Sequence, residues 1–391
     1  MPAAIVKRRK LRVLGTEISL LPQIRRQAAA DLGIDVEFVP RDFLSCQRQA
    51  ALQPRTYDVY DQCFHNIDIV WFWGALQPID SERITEWQAI TPLARSGGIS
   101  KYASRGFGDA PVRRLYVQPG HVLGPEPSRL IGMLPTIHNF DAFGYDARAF
   151  PEMSPGQESW AMLFDPRVAG RASLVDEPAI GFMDAAIAAE ASGAVGFDDI
   201  GNLTIVEIDR LMAVLRGHRQ NGHFRPMWST SRELADQFVK EGVAVSSLWS
   251  PALGLIGPDI PYVREAVPVE GYRAWHGGLS LAAHLADAQL DAAYDYLNWW
   301  LSGFAGAMMA RQGYYMSNPQ TVRAHLTAAE WDYWYAGEPA AADLPGTDGQ
   351  TTVVRAGSRR AGGSYAERAG RVAIWNTAMD EHNYVSRAWA R

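Results

Sequence analysis

The side chains best suited to holding or transforming a small molecule are scattered along this sequence, and many of them fall beside short apolar runs. Thr16 and Glu17 follow Leu11 to Leu14; Asp61, Cys63 and His65 follow Tyr57 to Tyr60; Asp176 and Glu177 follow Ala172 to Val175; Trp249 ends the run from Val243. His138, Asn139 and Asp141 lie inside the stretch LPTIHNFDAFGYD, Leu134 to Asp146, and Trp275 and His276 precede a Gly-Gly pair. Carboxylates can pair with ammonium groups, and tryptophan and tyrosine faces attract cations by about 0.5–2 kcal/mol each. Cys63 with His65, His138 and His276 offers metal-ligand chemistry, but no CxxC or HxxxH spacing supports it, so these histidines read as hydrogen-bonding groups. Asp176 and Glu177 are sequence neighbours at a strand end and point apart, which argues against an acid/base couple. Gly277-Gly278 lacks the Lys and Ser/Thr of a phosphate loop, and Ser247 and Ser250 lack a nucleophile elbow.

These residues need elements to position them. Leu11 to Leu14 reads as a strand, Pro22 opens a helix that Gly33 caps, and Val36 to Val39 is the next strand. That order begins a parallel α/β sheet, whose ligands gather at the carboxyl ends of strands. Asp42 to Leu52 and Ile67 to Trp73 read as helical, while Pro92 to Pro127 is rich in Gly, Pro and Arg and reads as irregular surface or cleft rim. After the extended stretch at Leu134 the alternation restarts: a strand to Val175, an Ala-rich helix from Pro178 to Ala191, helices at Ile205 to Arg216 and Glu233 to Glu241, and a buried strand to Trp249. Val267 to Ala283 is a second extended run, Leu290 to Leu301 is an apolar helix, and the tail reads as helical from Tyr365 to the end. Trp71, Trp73, Trp299 and Trp300 sit in apolar helical runs and read as core.

The 391 residues exceed one compact core and suit two lobes. With 47% hydrophobic and 20% charged residues the chain is an ordinary globular protein, and 37 basic against 43 acidic side chains argue against nucleic acid as a partner. Thirteen Trp, 15 Tyr and 14 Phe suit aromatic-walled pockets. Two cysteines, Cys46 and Cys63, form no disulfide framework, and the sequence leaves open whether they pair. The basic cluster Lys7 to Lys10 has no apolar run behind it, so the chain is cytoplasmic or lacks its leader, and no run is long enough to span a bilayer.

Taken in order, YDVYDQ, LPTIHNFDAFGYD, SWAMLFDPRVAGRASLVDE, FVKEGVAVSSLW, EGYRAWHGGLSLAA and AAYDYLNWWLSG running into GYYMSNP resemble a type II periplasmic solute-binding protein of an ABC importer, nearest to the spermidine/putrescine-binding group. The resemblance implies an α/β, two-lobed fold with two hinge crossovers, near Leu134 to Asn139 and Trp275 to Ser280. It implies a first lobe from residues 10–137 completed by 278–320, a second from 138–277, and a helical tail over 321–391. It also implies a small-molecule solute and a membrane ABC permease as partners, no enzyme activity, no cofactor or metal, a monomer, and a periplasmic location with the leader absent from this sequence.

Carried over by position, Trp249 and Trp275 match tryptophans that flank a bound polyamine, Tyr314 a pocket tyrosine, Thr16 a first-loop threonine, Glu177 an acidic residue and Asn376 a late glutamine. Gly15, Ile18, Cys63, His65, Gly277 and Ile180 depart from the pattern, the last two where the group has carboxylates. A polyamine pocket therefore needs Glu17, Asp61, Asp141 or Asp176 in their place, since a buried ammonium without a partner costs several kcal/mol. The expected ligand is a small amine-bearing solute, polyamine-like or a modified relative, bound by Thr16, Glu17, Asp61, Cys63, His65, His138, Asp141, Glu177, Trp249, Trp275, His276, Tyr314 and Asn376. The alternatives are a cleft enzyme, or a binder of an anionic solute or metal ion; Tyr314 and Tyr315 are similar to ferric-ion ligands of the wider superfamily, although the pair matches the polyamine group's turn.

Overall fold

The computed structural model describes residues 9–98, 107–108 and 111–390. Part of the cleft-rim segment expected between Pro92 and Pro127, and part of the basic cluster Lys7 to Lys10, lie outside those residues.

Strand β1 (Lys10–Gly15), helix α1 (Pro22–Leu32), strand β2 (Asp35–Pro40), helix α2 (Phe43–Leu52) and strand β3 (Val59–Cys63) form the opening α/β unit. Pro22 starts α1 where its missing N–H costs no bond, and Gly33 at φ 66° closes it in the left-handed region. Asp42 caps α2 by accepting from the Ser45 N–H at 2.8 Å. β2 and β3 flank β1 in parallel, with Val13 opposite both Phe38 and Val59.

Two long strands then join the lobes. Strand β4 (Leu134–Asp141) runs on through Ala142 into strand β5 (Phe143–Asp146), which belongs to a second sheet. The second sheet adds strand β6 (Ala172–Ser173), strand β7 (Val245–Ser247) and strand β8 (Val263–Glu265), in the order β6-β7-β5-β8. Strand β9 (Tyr272–Ala282) returns to the first sheet and inserts antiparallel between β3 and β4. Every residue of β4 and β9 is buried, because both faces of these central strands are covered. His138, Asn139, Asp141, Arg273 and His276 are thus polar groups in the middle of a closed sheet, where each needs a partner.

The close approach of β4 and β9 depends on Gly278. A Cβ there would lie 2.2 Å from the Leu134 carbonyl oxygen and 2.7 Å from Met133, contacts that backbone cannot relieve locally. Gly278→Ala is expected to cost about 3 kcal/mol or more, read as a lowered urea midpoint at unchanged slope.

Several expectations change. The strand expected at Tyr57 to Tyr60 extends to Cys63, so Asp61 and Cys63 sit inside it; tertiary pairing with β9 overrides their polarity. The helix expected from Pro178 starts at Gly181, after a turn in which the Glu177 carbonyl accepts from Ile180 and Gly181. The tail is not continuous helix: Tyr365–Ala369 and His382–Trp389 are helical, and Val372–Trp375 is a strand parallel to β9. Its short run, VAIW, is β-favouring and follows Gly370, which ends the preceding helix. Trp71, Trp299 and Trp300 are buried, but Trp73 is 62% exposed at the helix end. Cys46 and Cys63 are buried free thiols.

Candidate binding cleft between the lobes

A cleft of about 1160 Å3 opens between the two sheets. The first lobe contributes Thr16 and Glu17 beyond β1, Phe43 at the start of α2, and His65 beyond β3; the second contributes Glu177 beyond β6 and Trp249 beyond β7. These are strand-end positions, where side chains project past the sheet without having to pair in it. Phe43 and Trp249 meet across the cleft at 5.8 Å between ring centroids, and Trp228 holds Trp249 edge-on at 4.8 Å.

Glu177 is the most exceptional group on this wall. Its Oε2 is shut off from solvent and has no hydrogen-bond partner. Burial raises its pKa to about 7, against the opposing pull of the Ala179 N–H, Arg273 and the Ile180 N–H. Asp176 beside it is exposed and lines the same cleft, and its charge adds to the rise of the Glu177 pKa. His65 is buried with an unpartnered Nδ1, and burial, aided by Arg114 and Arg273, lowers its pKa to about 3.

Behind the cleft wall lies a second group organised by Arg273. Its Nε donates to Asp184 Oδ1 at 2.5 Å, its Nη1 donates to Asn376 Oδ1 at 3.1 Å, and its Nη2 lies 3.7 Å from Asp141 Oδ2. Asp141 in turn accepts from Asn139 Nδ2 at 2.7 Å and from Trp275 Nε1 at 2.8 Å. Burial lifts Asp141 to about 6 despite the guanidinium, and raises Asp184 as well. Cys63 and Tyr314 complete this group: burial first, then the nearby carboxylates, pushes both pKa values up. Trp275 packs edge-on against Tyr314 at 5.3 Å.

Thr16, Glu17, His65, Glu177 and Trp249 therefore line the cleft, whereas Cys63, Asp141, Trp275, Tyr314 and Asn376 surround Arg273 behind it. Trp249 packs with Phe43 and Trp228 on the cleft wall and Trp275 with Tyr314 behind it; among the described residues no ring contact joins Trp249 to Trp275 or Tyr314. His138 and His276 face each other across the β4–β9 register and stack at 4.8 Å, with Tyr365 OH 3.2 Å from His138 Nε2. Asp61 is buried within β3, its pKa raised to about 7 by desolvation. His138, His276 and Asp61 do not line the cleft. Among the carboxylates offered as substitutes for Gly277 and Ile180, Glu17 and Asp176 face it; Asp141 is held by Arg273, Asn139 and Trp275. Among the described residues no group of three or more His, Cys, Asp or Glu could hold a metal ion.

Sequence reasoning missed Arg273 and Asp184. Each is a lone charge in an apolar run, in YRAW and FMDAAIAA, and that isolation was the available signal, since a charge buried on both sides must be paired.

No protein-family model and no curated protein matches the sequence. Solved structures do match the fold. The TpPotD lipoprotein of Treponema pallidum aligns over 97% of this chain and 98% of its own, at 12% identity and a TM-score of 0.66. The spermidine/putrescine ABC transporter substrate-binding protein PotD of Streptococcus pneumoniae aligns over 97% and 96%, at 13% identity and a TM-score of 0.61. The Atu4243-GABA receptor aligns over 98% and 96%, at 14% identity and a TM-score of 0.58. With its return strand inserted between β3 and β4, this chain has the two-lobed, two-crossover α/β fold of the type II solute-binding proteins.

Proposed function

We propose that this protein is the substrate-binding component of an ABC importer, a monomer working outside the cytoplasm, which captures a small amine-bearing organic solute between its lobes and presents the closed form to a membrane permease. Catalysis has no part in this reading. The observation that carries it is the charge balance at the cleft: Glu177, Asp141 and Asp184 act electrostatically on one buried cation, Arg273, and Glu177 retains an unpartnered oxygen on the cleft wall. An ammonium group placed there supplies the missing donor and charge, and Trp249 and Phe43 offer it aromatic faces. Solute contacts with Glu17 and Thr16 on one lobe and Glu177 and Trp249 on the other would favour the closed state by the contacts made only there. The neighbours named for spermidine/putrescine and for GABA support solutes that carry an amine, with or without a carboxylate. No helix among the described residues is long and apolar enough to cross a membrane.

The reading has a pH signature. Glu177 titrates near 7 in the unliganded protein, raised above the ordinary carboxylate range, and a cationic solute selects its ionised form. Affinity is flat above pH 7 and falls by up to about tenfold per pH unit below it, because a proton must leave before the amine binds. Calorimetric titration with putrescine and with GABA at pH 8, 7 and 6 checks this. Tight binding of an uncharged diol of the same length, or amine affinity that rises on acidification, would refute it.

A further inference from the structure

A second groove, of about 1110 Å3, adjoins the cleft at Glu17 and Ile18 and extends along helix α3 (Ser250–Ile256) and the segment 346–362. We infer that this groove is a separate binding site for an organic anion, a carboxylate on a largely apolar body, held by Arg360 at its base and by Arg359, Arg264 and Arg232 at its rim. The inference is independent of the proposed solute of the interlobe cleft.

Arg360 is the central observation. It is only 6% exposed, yet no carboxylate of the described residues pairs with it. Its Nη1 donates to the Trp334 carbonyl at 2.7 Å and its Nη2 to the Gly313 carbonyl, and its guanidinium lies 4.4 Å from the Tyr315 ring centroid and 5.1 Å from that of Trp334. Carbonyl dipoles and ring faces orient a guanidinium, but they do not neutralise its full charge, and burying a cation without an anion is costly. Trp334, which also lines the groove, has a buried indole N–H with no partner. A carboxylate is the group that answers both, since it accepts from a guanidinium and an indole N–H at once.

The surrounding charges point the same way. Arginines outnumber carboxylates along the groove, and most of the carboxylates are already committed. Glu158 accepts from the Tyr145 hydroxyl and the Gly156 N–H, Glu265 pairs with Arg368, and Asp348 accepts from Thr351. Arg311 and Arg355 are likewise matched, by Glu330 and by Asp259 and Asp343. Exposed Arg232, Arg264 and Arg359 have no ion pair among the described residues, which leaves an uncompensated positive rim. Leu253, Ile256 and Val353 supply apolar wall, favouring an organic body over a bare inorganic anion.

The test is calorimetric binding of phenylacetate, and separately of inorganic phosphate, to the full chain at pH 8 and constant ionic strength. The expected results are saturable phenylacetate binding, phosphate weaker by about tenfold or more, and loss of about tenfold or more in Arg359→Ser/Arg264→Ser at an unchanged melting temperature. Arg360→Lys, which keeps the charge but loses the forked geometry, is expected to weaken binding similarly. If that variant does not fold, the double variant at the rim decides. Glu177→Gln, in the neighbouring cleft, is expected to bind phenylacetate as the parent does. Absence of phenylacetate binding, phosphate binding as tightly, parental affinity in the double variant, or loss in Glu177→Gln would overturn the assignment.

Discussion

Arg273→Met is expected to lower the free energy of unfolding at pH 7 by about 3–5 kcal/mol, because it leaves Asp141 and Asp184 buried without their cation. The methionine fills most of the volume, so the loss is electrostatic rather than a cavity effect. Adding Asp141→Asn and Asp184→Asn is expected to recover most of it, since replacing a whole buried ionic group by neutral groups of similar shape is often close to neutral. The pH dependence follows from the direction of the shifts. Both carboxyls have native pKa values raised above their unfolded ones, so the native state binds more protons and their burial is better tolerated as pH falls. Without Arg273 that upward shift grows, and the deficit is therefore expected to shrink between pH 7 and pH 5. Urea unfolding at the two pH values measures both effects. A loss below about 1 kcal/mol, or one equal at both pH values, would show that Arg273 is not the counter-charge of this interior.

Glu177→Gln is expected to weaken amine binding by about 2–5 kcal/mol, the range for removing one partner of a desolvated, hydrogen-bonded charge pair. The same substitution is expected to leave stability at pH 8 unchanged or raised. The raised pKa of Glu177 means that the empty protein bears its ionised form at a cost, and glutamine keeps the shape without the charge. Binding and stability thus move in opposite directions, a combination that simple misfolding cannot produce. The variant also loses the fall in affinity below pH 7. Parental affinity in Glu177→Gln would remove this carboxylate from the solute site.

Much of the fold was legible because its signals are local. Pro22 and Gly33 bracket α1, Asp42 caps α2, and the long buried strands on which the lobes are hung appear as LPTIHNFD and YRAWHGGLSLA. The cleft wall was partly legible for the same reason: Thr16, Glu17, His65, Glu177 and Trp249 all stand just beyond strands. What could not be read depends on pairing between distant segments. Nothing near Asp61 reveals that β9 will extend β3 to Cys63 and draw that carboxylate inside, or that β9 will recruit Val372–Trp375 as a partner. The same distance in sequence hides the Arg273–Asp184 pair, and it separates Trp275 and Tyr314 from Trp249 although all three align with one pocket in the resemblance. Partner choice across 89 residues, as between Asp184 and Arg273, is a property of the folded chain.

Closure of the lobes on a cationic amine held by Glu177 is checked by a thermal-shift screen of the parent protein and Glu177→Gln. The panel is polyamines, GABA, quaternary amines, opine-like conjugates, aminophosphonates, and ferric and zinc ions at pH 8. A ligand at one hundred times its dissociation constant adds about 2.7 kcal/mol to the stability of the protein that binds it, enough for a clear rise in melting temperature. Such a rise is expected with at least one amine in the parent, and its loss in Glu177→Gln. A rise only with metal ions, a rise of equal size in both proteins, or no response to any amine would contradict it.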